Sequence, residues 1–121
     1  MAIDGIPVFD RSVLINSPSL GMRLAKTMGK SKACMMHGHG VTTAGPSVEQ
    51  AALYMIQLND LATINYHAQL LGGAKPISKE DQDIISNSRP KVTGVADGSP
   101  PKGAEAALWK YYCRVTQPAE G

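Results

Sequence analysis

Cysteine is scarce and unpaired in this chain of 121 residues: Cys34 and Cys113 lie far apart, and no Cys-x-x-Cys occurs. A reduced, cytoplasmic setting is therefore the simpler expectation. Charge of one sign is also lacking, since the net charge is only +2 and the basic residues are scattered. Neither nucleic acid nor an anionic membrane is an expected partner of such a surface. No stretch approaches the roughly 18 consecutive apolar residues of a membrane-spanning helix, and the N-terminus shows no basic-then-apolar signal pattern. Internal repeats and low-complexity tracts are missing as well. What remains is one small domain over residues 1–121, with 43% hydrophobic residues to build a core.

The most informative stretch runs from Ala33 to Gly45 and holds His37 and His39, two of the three histidines. The apolar run Ala33 to Met36 is long enough for one buried strand and too short for a helix. The histidines are therefore expected at a strand end, where alternation puts His37 and His39 on one face and Gly38 on the other. Gly38 and Gly40 remove bulk and permit positive φ, so the chain can approach an ion or a ligand closely. Val41-Thr42-Thr43 is a second β-prone piece, either continuing the first as a bent strand or pairing tightly with it.

Around this stretch the pattern alternates between strand and helix. Ile6 to Phe9 and Val13 to Ile15 read as short or irregular strand segments. Ser17-Pro18 starts a helix with Leu20, Leu24 and Met28 as its stripe, and Gly29 ends it. Ser47 and Gln50 form a capping-box pattern before a long helix from about Val48 to Leu71, whose stripe reads Val48, Ala51, Ala52, Met55, Ile56, Asn59 and Ala62. Ser78 with Asp81 begins a short helix that Arg89-Pro90 ends, and Lys91 to Gly103 is a loop or tether. Ala104 to Val115 returns to helical spacing with Leu108, Tyr111 and Val115 on the stripe and Trp109 and Tyr112 off it.

His39-Gly40-Val41-Thr42-Thr43, followed by Ser47-Val48-Glu49-Gln50-Ala51 and a long helix, resembles the segment around the third metal-binding histidine of the class II aldolase/adducin family. Upstream, Ile6-Pro7-Val8-Phe9 and Ser17-Pro18-Ser19-Leu20-Gly21 are similar to the family's approach to that histidine. Downstream, Leu108-Trp109-Lys110-Tyr111-Tyr112 is similar to the closing helix of members that decarboxylate hydroxylated aromatic acids. The family's first two metal histidines, an extended His-x-His pair, and its glutamate have no match in this chain.

The resemblance implies the C-terminal half of the family domain: half of a three-layer α/β/α sandwich with a largely antiparallel sheet. It implies a divalent metal ion, Zn2+ in the best-known members, with His39 as a ligand and His37 in the second shell or against the substrate. Tyr111 or Tyr112 is the candidate proton donor, with plain helix packing as the competing role. The reaction implied is carbon–carbon lysis through a metal-stabilised enolate or enediolate, either decarboxylation or aldol cleavage of a small-molecule substrate. The chain's own ligands fall short of the three that a catalytic site needs. Hence an isolated chain is expected to be inactive and to associate, either as a homo-oligomer or with a chain supplying the N-terminal half. A non-catalytic adducin-like binding or assembly module is the alternative, and His39 speaks against it.

Overall fold

A computed structural model describes residues 5–88 and 98–117. Among them the order is β1 (Val8–Phe9), α1 (Pro18–Met28), β2 (Ala33–Met36), β3 (Gly40–Thr43), α2 (Val48–Leu70), α3 (Lys79–Ser88) and α4 (Ala104–Val115). The strand expected near Val13 does not form. Residues 10–16 make an irregular loop instead, in which Ile15 packs on the core while Leu14 points to solvent.

The three strands lie in the order β1-β2-β3. β1 runs parallel to β2, with Val8 opposite Met35 and Phe9 opposite Met36. A parallel pair needs a crossover, and α1 supplies it. β2 and β3 form an antiparallel hairpin, with Cys34 opposite Thr42 and Met36 opposite Gly40. Among the described residues the sheet is therefore small and mixed, in an α/β arrangement with four helices.

Local chemistry explains the helix ends. Ser17 and Ser47 adopt extended backbone angles and accept from Leu20 N–H and Gln50 N–H, so each side chain satisfies one free amide of a first turn. Gly29 takes φ +56° and donates its N–H to the Ala25 carbonyl, which closes α1. Ser78 caps α3 through Asp81 N–H at 3.1 Å. Arg89, Pro90 and most of the expected tether lie outside the described residues.

Alternation along the strands creates two apolar faces. Phe9, Cys34 and Met36 meet Leu24 and Met28 of α1 and form the main core. The opposite face, carrying Met35 and Val41, looks toward α2, and Thr43 Oγ1 donates to the Ala51 carbonyl at 2.9 Å to fix that helix against β3.

The inner face of α2 is not the expected stripe. Gln50, Leu53, Tyr54 and Leu58 are buried, whereas Val48 is 82% exposed. Apolar residues surround the first half of this helix, so periodicity does not choose a face. Tertiary contacts do: the Thr43 bond and the Lys32 ammonium, 4.6 Å above the Tyr54 ring, turn Tyr54 inward. On α4 the rotation also differs from expectation, with Trp109 and Tyr112 half-buried and Tyr111 and Val115 exposed. That helix packs on α2 and α3 packs on no other element, among the described residues.

Candidate active site

His37, Gly38 and His39 form the turn between β2 and β3, not a continuation of the strand. The His39 N–H donates to the Met36 carbonyl at 3.0 Å, which defines a four-residue turn. Gly38 sits at its third position with φ +64°, and among the described residues no non-glycine has positive φ. Among the common turn types only type II puts its one positive φ there, so Gly38 is the residue that lets this turn close. The turn breaks the alternation, and the two imidazoles do not share a strand face as expected. They flank Gly38 on one exposed tip.

The tip is tied down from the end of the neighbouring strand β1 and the loop that follows it. The Ser12 hydroxyl donates to the His37 carbonyl at 2.7 Å and lies 3.4 Å from His37 Nδ1. The His37 N–H donates to the Phe9 carbonyl at 3.0 Å. Nothing in the sequence marks Ser12, which acts across 25 positions from within an irregular loop. His39 carries its ring into solvent.

Beside the tip, Ile6, Met35, Val41, Met55, Leu58 and Ala62 line an apolar groove of 440 Å³ that reaches Gly40, the residue after His39. A groove of this size and character accommodates a small organic molecule. His67 lies in the last turn of α2, its ring centroid 5.9 Å from that of Tyr66. Tyr111 and Tyr112 lie edge to face at 5.3 Å on α4, a helix that packs on α2 and on no strand. Among the described residues, no three of His, Cys, Asp and Glu come together as a metal-binding group. His37 and His39 thus fit part of a donor set but do not make a three-ligand centre by themselves.

The family model described as "Class II Aldolase and Adducin N-terminal domain" matches residues 1–66, from before β1 into the second half of α2. The chain belongs to the class II aldolase and adducin family. Both tip histidines lie inside the matched residues, and Tyr111 and Tyr112 lie outside them. Among class II aldolase and adducin relatives, the 3,4-dihydroxyphthalate decarboxylase of Terrabacter sp. (strain DBF63) is 35% identical over 75 residues, 62% of this chain and 31% of the relative. The protein of the same name from Arthrobacter keyseri is 36% identical over 74 residues, 61% of this chain and 30% of the relative. A third relative is the 4-hydroxy-3-prenylphenylpyruvate oxygenase/4-hydroxy-3-prenylbenzoate synthase of Streptomyces roseochromogenus subsp. oscitans, 31% identical over 71 residues, 59% of this chain and 26% of the relative. The matched part of the chain spans about a third of the length of the decarboxylases. No solved structure gives a significant match. No helix among the described residues is long and apolar enough to cross a membrane.

Proposed function

We propose that this chain is the histidine-bearing C-terminal half of a metal-dependent carbon–carbon lyase acting on a hydroxylated aromatic acid. The observation that carries the reading is His39, exposed on a glycine-closed turn inside the family-matched segment. The decarboxylase relatives favour release of carbon dioxide over aldol cleavage. In this reading His39 is one ligand to a divalent ion, Zn2+ by preference, and further histidines come from residues outside this sequence. The ion supplies an electron sink for the breaking carbon–carbon bond. His37, held by Ser12, orients the substrate, while the groove walls Met35, Val41 and Met55 receive the ring and keep water from it. Tyr111 or Tyr112 serves as proton donor only if assembly brings α4 to the tip. The complete domain is a three-layer sandwich with a largely antiparallel sheet, working in the cytoplasm as an oligomer.

The test combines the chain with a polypeptide carrying the family's N-terminal histidines and measures zinc binding by calorimetry and turnover of 3,4-dihydroxyphthalate. The combined protein is expected to bind zinc and release carbon dioxide, and the chain alone to do neither. His39→Ala should abolish zinc binding, whereas His37→Ala should weaken it by about 10- to 100-fold, as for a residue that supports a ligand from outside. Equal loss from both variants overturns the division of roles. No zinc in the combined protein overturns the enzyme reading.

A further inference from the structure

The groove beside the histidine turn has apolar walls, and among the described residues no charged side chain lines it. Its polar side chains are Asn59 and Asn65, both on α2. Thr43 is tied to Ala51, and the strand from there back to Gly40 covers about 10 Å, the rise of about seven helix residues. Gly40 therefore stands level with Leu58, with which it lines the groove, and α2 runs on past the turn. Asn59 and Asn65 thus sit at the histidine end of an apolar slot.

Asn65 differs from Asn59 in being oriented. Its amide lies 2.7 Å from the Leu61 carbonyl, one helical turn earlier. A carbonyl oxygen accepts only from a donor, so the Nδ2 end faces Leu61 and the Oδ1 end faces away from it. Among the described residues Oδ1 has no partner, and the Asn59 side chain makes no bond of this kind.

We propose that Asn65 selects the hydroxyl group of the aromatic substrate, its Oδ1 accepting the phenolic O–H of a ring seated in the groove. The inference rests on the groove being the ring site of the lyase proposed above. Its basis is complementary chemistry: the apolar walls take the faces of the ring, and an acceptor already held in place takes an O–H at its edge. A ring without an O–H leaves that oxygen to water. An ionised carboxylate meets no cation in the groove and loses its hydration there, so the charged groups of the acid stay at the turn, beside His37 and His39. Asn65 is then a specificity-determining residue that holds the edge of the ring and takes no part in breaking a bond.

Phenol and anisole are the probes, since they share the ring and its oxygen and only phenol carries the O–H. Each is titrated into the full chain, isotope-labelled at its methionine methyl groups, so that Met35 and Met55 report by NMR from the groove walls. Both probes should shift these two methyl signals in the wild type. Asn65→Leu should lower the affinity for phenol relative to anisole by about 2- to 10-fold, the worth of one hydrogen bond at a partly solvated site. A merely structural role would weaken both probes alike. Leucine is a better helix former than asparagine, so α2 should hold; if circular dichroism shows lost helix, Asn65→Ala takes its place. Met35 and Met55 signals that neither probe moves, or a phenol-to-anisole ratio unchanged by the substitution, each overturns the proposal. Neither zinc nor a second polypeptide enters this measurement, so its failure is distinct from a failure of the combined protein to bind zinc.

Discussion

Gly38→Ala tests whether the tip geometry rests on one backbone angle. At φ +64° an L-residue with a Cβ costs about 1–2 kcal/mol over glycine. A Cβ built there would also lie 2.9 Å from Ser12 Oγ and 3.6 Å from Ser12 Cβ, so the serine must swing away. Moving it breaks the 2.7 Å bond to the His37 carbonyl, a loss of about 0.5–1.5 kcal/mol, with the low end expected at this exposed site. The two effects together predict roughly 1.5–3.5 kcal/mol lost from folding stability, with the lower part of that range expected at this exposed site. Urea denaturation followed by circular dichroism measures this, with Ser12→Ala and the double variant closing a cycle. Because Gly38→Ala already expels the hydroxyl, Ser12→Ala should cost less in the Gly38→Ala background than in the wild type. A Gly38→Ala cost below about 0.5 kcal/mol, or full additivity in the cycle, would refute the turn assignment or the Ser12 latch, respectively.

Leu53 is wholly buried between the body and α2, and Leu53→Ala should lose about 2–5 kcal/mol in the same assay; a cost under about 1 kcal/mol would mean the helix is not seated as described. Glu49 opens α2, where its own backbone N–H and the Ser47 hydroxyl hold its carboxyl below the ordinary glutamate value. The folded value is the lower one, so this contribution is present above the unfolded glutamate pKa and lost as pH falls through the folded one. Glu49→Gln should flatten the acid side of the stability curve there, and an identical curve for both proteins would count against the cap. Thr43→Val removes the 2.9 Å tie to the Ala51 carbonyl and should cost about 1 kcal/mol, read as an earlier urea midpoint.

What the sequence determined by itself was local. Ser17-Pro18 and Gly29 bound α1, Ser47 starts α2, Ser78 with Asp81 starts α3, and Ala33–Met36 is a strand, because caps, breakers and short apolar runs act within a few residues. The motif around His39 was legible for the same reason, and it placed the chain in its family. Tertiary structure decided the rest. The capping box stayed half-made, since Gln50 packs against Gly45, where any Cβ would come within 3.1 Å of the glutamine's own, and its Nε2 finds no partner among the described residues. Which face of α2 turns inward depended on Thr43 and Lys32, residues outside that helix. Whether His37 and His39 continued a strand or turned a corner depended on β3 folding back onto β2, and the hold on that corner comes from Ser12, 25 residues earlier. Such contacts join segments that no window of neighbouring residues contains, and only the folded chain brings them within hydrogen-bond reach.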